Sequence, residues 1–197
     1  MKTALRFSLV LLLTAGLAGH SRAQDTETDA SVSAPETTQD ASNPQEQYLQ
    51  RVKVEFNLVN SDGKHVTQKD FLGKYVLLTF GYTHCEHICP TILNDMAHTL
   101  KASGRDMAGI FISVDTERDT PRRTNEYASG FYQKITGLSG SYREVKEAAN
   151  NFNVRYSVTK TQNHYMVQHS SDIFYIGPDG KLLHVYSFNT LPHDLDK

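Results

Sequence analysis

Apolar residues cluster in a short run from Phe7 to Ala18, nearly vanish until Tyr48, and then recur in regular patterns from Val52 to Tyr186. Val52, Val54, Phe56 and Leu58 alternate with polar residues, which predicts a strand. Ser61-Asp62-Gly63-Lys64 predicts the turn after it. The continuous apolar run Tyr75 to Phe80 suits a strand covered on both faces. Gly81 to Glu86 then reads as a loop, and Pro90 fits the first turn of a helix, where its missing N–H costs nothing. Ile92, Leu93, Met96 and Leu100 give that helix its buried stripe. Gly109 to Val114 predicts a second buried strand, and Pro121 to about Phe131 a helix. Ser141 with Glu144 forms a capping box that opens a helix running to about Phe152. Asp172 to Ile176 and Lys181 to Tyr186 predict a hairpin around Gly177-Pro178-Asp179-Gly180. This order of elements predicts an α/β or α+β sandwich with a central sheet, running from residue 51 to the end.

The first 23 residues read as an export signal. Lys2 and Arg6 precede the apolar run, and Ser21-Arg22-Ala23 offers small residues at a cleavage site. The run is shorter than the roughly 20 residues a membrane span needs. Cleavage before Gln24 is therefore the expected outcome, with an uncleaved membrane anchor as the alternative. Residues 24 to 50 are acidic and polar, lack Lys and Arg, and read as a disordered linker that buries too little to offset its ordering entropy. Loss of the leader takes the formal charge from -2 to about -5, a balance that argues against nucleic acid as a partner.

Only two cysteines occur, Cys85 and Cys89, in Tyr82-Thr83-His84-Cys85-Glu86-His87-Ile88-Cys89-Pro90. The segment leaves a predicted strand and enters a predicted helix. Residues four apart on a helix share a face, so both sulfurs can converge. The helix N-terminus lowers thiol pKa values. Export places the pair in an oxidising compartment, where thiols pair or bind metal. A structural disulfide across so small a loop removes little unfolded-state entropy. A redox-active Cys85–Cys89 pair has the right place in the fold, although the usual spacer there is two residues. A metal site is the third reading: two sulfurs suit Cu(I), an added imidazole suits Cu(II), and zinc accepts the same donors. A peroxidase would want one activated cysteine beside an arginine, and Arg118 is expected to pair with nearby acids instead.

Three segments in order resemble the Sco/SenC family of copper chaperones. They are Phe80 to Pro90, Ile112-Ser113-Val114-Asp115-Thr116-Glu117-Arg118-Asp119-Thr120-Pro121, and His169-Ser170-Ser171-Asp172 through Gly180. The resemblance covers about Val52 to Tyr186. It implies a thioredoxin-like fold with a central mixed β-sheet flanked by helices. It also implies copper, as Cu(I) or Cu(II), held by Cys85, Cys89 and His169. Among nine histidines, His169 is singled out by that resemblance, at the start of a predicted strand after a loop. The family further implies delivery of copper to the binuclear centre of cytochrome c oxidase. The implied partners are the copper-accepting subunit of that oxidase, a copper donor protein and a thiol reductase. The alternative role is a thiol–disulfide oxidoreductase that reduces the target's cysteines or acts in periplasmic redox signalling. The export signal suits a periplasmic location.

The chain departs from the family pattern at three places. Asp115-Thr116 stands where Asp-Pro is usual. His87 stands where Asp is frequent, and is expected to be solvated because it lies between two converging ligands. Little room for the usual closing helix follows Tyr186.

Overall fold

The computed structural model describes residues 44–195. Its centre is a five-stranded mixed sheet. In chain order its strands are β3 (Tyr75–Gly81), β4 (Met107–Ser113), β5 (Ile135–Leu138), β8 (Ile173–Ile176) and β9 (Leu182–Tyr186), arranged β5-β4-β3-β8-β9. β3, β4 and β5 are parallel, whereas β8 is antiparallel to both β3 and β9. Parallel neighbours require crossover connections. Helices α2 (Ile88–Ala102) and α3 (Pro121–Phe131) supply them between β3, β4 and β5. The hairpin β8–β9 turns at Gly177–Gly180, where Gly177 N–H donates to Lys181 O at 2.8 Å and Gly180 takes a φ of 81°. That positive φ is available to glycine at no steric cost.

Period-two alternation divides the central strands between two cores. Val76, Leu78, Phe80, Ile110 and Ile112 face α4 (Tyr142–Asn151), whose Val145, Ala148 and Ala149 close that side. Phe80, Phe152 and Phe174 meet there edge to face, with ring centroids 5.0–6.4 Å apart. Leu77, Met107 and Phe111 face the other way, onto Ile92, Leu93, Met96 and Leu100 of α2 and Ala128 of α3. This is the thioredoxin-like α/β arrangement expected from the resemblance. The Ser141–Glu144 capping box is formed, and α3 spans the predicted residues.

Several expectations are corrected. The alternation at Val52–Leu58 produces burial of Val52, Phe56 and Leu58, yet only Asn57–Val59 (β1) is a strand, paired with β2 (His65–Thr67). Upstream, Lys53 N–H is taken by Asn151 O and Phe56 N–H by Gln68 Oε1, so the backbone is satisfied without a ladder. The last part of the segment read as linker is helical, α1 (Pro44–Arg51), with Tyr48 packed against the core. The leader and residues 24–43 lie outside the described residues. A further hairpin, β6 (Tyr156–Lys160) and β7 (Tyr165–His169), was not predicted. His169 therefore ends β7 instead of opening β8. After Tyr186 no helix follows among the described residues, but Leu191 is buried against the α2 side and Thr99 Oγ1 donates to Pro192 O at 2.9 Å.

Candidate metal centre

Topology concentrates three chain segments at one end of the sheet. Gly81 of β3 pairs with Ser113 of β4, so both parallel strands end together. β8 runs the other way and begins there, with Thr79 opposite Ile173 and Thr79 Oγ1 donating to Asp172 O at 2.9 Å. The thiol loop leaves β3 at this end, the segment 114–120 leaves β4, and His169 arrives just before β8. Crevices at the carboxyl ends of parallel strands are the usual functional places in such sheets.

Cys89 lies in the first turn of α2 and is 2% exposed, while Cys85 in the loop is half-buried. Neither forms a disulfide. Cys89 N–H donates to Cys85 Sγ at 3.4 Å. His169, eighty residues downstream, brings Nε2 to 3.7 Å from Cys89 Sγ. Its Nδ1 lies 2.8 Å from Ser170 O. A carbonyl only accepts, so Nδ1 carries the hydrogen and Nε2 presents its lone pair to the sulfur. Fixing the tautomer through the outer nitrogen is how proteins orient a ligating imidazole. The Tyr82 ring stands edge-on to the imidazole, 5.8 Å away at 89°. His87 is exposed, as expected for a solvated side chain.

The two sulfurs sit in different electrostatic surroundings. Burial raises the Cys85 thiol, but the N–H of Cys89, the Cys89 thiol and the N–H groups of His87 and Ile88 outweigh it, so its pKa falls. Those donors are the open end of α2, which favours a thiolate. Burial dominates at Cys89 and raises its pKa, with proximity to Cys85 adding to the shift. Burial also lowers the His169 pKa, only partly opposed by the bond to Ser170 O, so the imidazole is neutral. The site thus offers one thiolate-prone sulfur, one protonated sulfur and one neutral nitrogen. This is a donor set for a soft metal ion or for thiol exchange.

Sequence reasoning named all three of these residues. It missed Asp119 and Asp115, which are fully buried beside the site, because nothing local marks an acidic residue as buried. Arg118 pairs with Asp115 at 2.5 Å, as the acids near it suggested.

A thioredoxin-like domain carrying two reduced thiols and an oriented imidazole at one sheet end belongs to the class of thiol-based metal-binding or thiol-exchange proteins. The family model described as SCO1/SenC matches residues 44–196, and the chain belongs to the SCO1/SenC family. It is 39% identical over 146 residues to the Arabidopsis thaliana protein SCO1 homolog 1, mitochondrial, covering 72% of this chain and 43% of that one. The chain spans about half the length of the curated relatives it matches. Its fold is similar to the crystal structure of Arabidopsis thaliana ScoI with copper bound, with TM-score 0.66 and 38% identity over 70% of this chain and 89% of that chain. It is also similar to BsSco, described as a member of the Sco family of cytochrome c oxidase assembly proteins with a disulfide switch. There the TM-score is 0.57 and the identity 31%, over 73% of this chain and 88% of that chain.

Proposed function

We propose that this protein is an exported copper chaperone that binds one copper ion through Cys85, Cys89 and His169 and delivers it to the binuclear copper centre of cytochrome c oxidase. The observation that carries this reading is the 3.7 Å approach of His169 Nε2 to Cys89 Sγ, with the ring held by Ser170 O. The donors fit the ion. Two thiolates satisfy Cu(I), and a neutral imidazole extends the set to Cu(II). Zinc accepts the same donors, but the copper-bound relative supports copper.

Copper is cargo here, so it must leave as well as bind. Cys85 is the more accessible sulfur and the first place where an incoming thiolate from the acceptor subunit can replace a protein ligand. Both cysteines must be reduced before loading, which calls for a thiol reductase where the compartment favours the disulfide, and a donor protein must supply the ion. The export signal read in residues 1–23 supports the periplasm as the compartment of this exchange. Among the described residues no helix is long and apolar enough to cross a membrane.

The test is copper titration of the reduced protein. Stoichiometric binding is expected in the wild type and lost in a Cys85→Ser/Cys89→Ser double variant; undiminished binding by that variant refutes the reading. A second reading, thiol–disulfide exchange on the target's cysteines, is favoured by the opposite pKa shifts at Cys85 and Cys89. Unequal thiols of this kind suit an attacking and a resolving sulfur. His169→Ala separates the two: it weakens Cu(II) binding while leaving thiol exchange intact. If cells that need the protein tolerate this variant, exchange is the function.

A further inference from the structure

The motif Asp115-Thr116-Glu117-Arg118-Asp119 belongs to none of the ligand positions, yet it lies between both halves of the site. We propose that this segment is a two-armed clamp that sets the distance between the thiol loop and the imidazole-bearing strand, with Asp119 and Thr83 forming one arm and Asp115 and Tyr165 the other. The proposal rests on the copper-binding reading above and names positioning residues for it.

The first arm holds the thiol loop. The Asp119 carboxylate is 1% exposed. It accepts from Thr83 N–H at 2.8 Å, Thr83 Oγ1 at 2.6 Å and Ser113 Oγ at 2.6 Å. Thr83 is two residues before Cys85, and Arg123 Nε donates to its hydroxyl at 3.0 Å. The backbone carbonyl of Asp119 is itself fixed by Ser139 Oγ at 2.9 Å. The second arm holds the imidazole strand. The fully buried Asp115 accepts from Tyr165 Oη at 2.6 Å, and the Arg118 guanidinium lies 3.9 Å from the Tyr165 ring centroid while pairing with Asp115. Tyr165 and His169 are four residues apart in β7, so their side chains share a face. The arms are joined rigidly, because Arg118 N–H and Asp119 N–H both donate to Asp115 O, at 3.2 and 3.0 Å.

Physical chemistry explains why such a device is needed. β6 and β7 form a two-stranded sheet separate from the central one. A lone hairpin is marginal by itself, so its placement depends on what pins it. Val167 docks into the core and Lys146 lies 4.9 Å from the Tyr156 ring centroid, and this motif adds the Tyr165 hydrogen bond and an exposed pair between Lys160 and Glu117. Buried carboxylates are costly unless fully bonded, so two of them four residues apart mark a place where fixed geometry offsets the cost. Asp115, Asp119 and His84 also bring possible ligand atoms within 4.8 Å of one another. Their lone pairs are already engaged by Thr83, Ser113, Tyr165 and Arg118, and Arg123 Nη2 sits 3.2 Å from His84 Nε2. The cluster is therefore a clamp and not a second ion site.

The arms are tested from their accessible ends, in the full-length protein, with Tyr165→Phe and Thr83→Val. Each removes a hydroxyl and leaves both carboxylates with other partners. The readouts are Cu(I) affinity by chelator competition, Cu(II) affinity with the visible thiolate-to-copper charge-transfer band, and the melting temperature. Two sulfurs suffice for Cu(I), whereas Cu(II) needs the imidazole. Tyr165→Phe is expected to lower Cu(II) affinity about tenfold, the equivalent of one hydrogen bond to a charged acceptor, and to shift the band, while Cu(I) affinity stays within about threefold. Thr83→Val is expected to weaken both oxidation states, and Thr83→Ser to restore them. If both variants keep wild-type affinities and spectrum while only their melting temperatures fall, the clamp is overturned and the metal site stands. If wild-type binding does not depend on Cys85, Cys89 and His169, the underlying reading falls, and the clamp with it.

Discussion

A Gly81→Ala substitution puts a methyl group where the end of β3 has no room. A Cβ there would lie 2.6 Å from Phe111 Cε2, 2.9 Å from Cys89 Sγ and 3.0 Å from Phe111 Cζ. Phe111 is fully buried and packs on Tyr127, so its ring has nowhere to swing. Cys89 is fixed by its place in the first turn of α2. Overpacking of this kind costs about 1–3 kcal/mol. For a domain of this size each kcal/mol lowers the melting temperature by about 2–4 °C, so a loss of about 2–12 °C is expected. The same displacement moves a proposed ligand sulfur. Copper should then add less to the melting temperature of the variant than to that of the wild type, because stabilisation tracks affinity for the folded state. The assay is thermal unfolding followed by circular dichroism, on reduced protein with and without one equivalent of Cu(I). Gly130→Ala is the control: it sits in α3 with an ordinary φ and open space around it, and should not lower stability. A Gly81→Ala melting temperature within about a degree of wild type, with unchanged copper stabilisation, would refute the close-packing account of the thiol seat.

The unequal thiols predict ordered alkylation: Cys85, half-buried with a lowered pKa, should react with iodoacetamide at least about tenfold faster than Cys89 at neutral pH. Peptide mass mapping over time reads this directly, and equal rates contradict it. Loading with Cu(I) should release the Cys89 proton and part of that of Cys85, and none from His169, whose lowered pKa leaves it neutral. Affinity should therefore fall as pH falls, by about tenfold or more per unit near pH 7, measurable by calorimetry in buffers of different ionisation enthalpy. Ser141→Ala removes the cap that receives Glu144 N–H and donates to Glu144 Oε2 at 2.6 Å, and should cost about 1 kcal/mol in a urea melt. Because hydrogen bonds from Ser141 hold the Glu144 carboxyl below its usual range, this contribution is present above the unfolded carboxylate pKa and lost as pH drops through the folded one.

Much of the architecture was legible because local rules and tertiary packing agree. The buried runs at Tyr75–Phe80 and Gly109–Val114 became central strands, Pro90 entered the first turn of α2, and the capping box opened α4. These features depend on neighbours a few residues away, which a sequence displays. The two cysteines were legible for the same reason, since a strand end and a helix start fix where both sulfurs point. What escaped depends on distant partners. Alternation at Val52–Leu58 reported burial correctly but not pairing, because Asn151 and Gln68 satisfy that backbone. The β6–β7 hairpin alternates Tyr156 with Val158 and Tyr165 with Val167, but over strands of only five residues each, too short a run to set them apart from loop without the core they pack against. The approach of His169 to Cys89 came from resemblance and not from spacing. Only the antiparallel seating of β8 beside β3 brings residues eighty apart to the same end of the sheet. The burial of Asp115 and Asp119 was likewise decided by the folded chain, for a carboxylate enters a core only where donors from elsewhere in the sequence are already waiting.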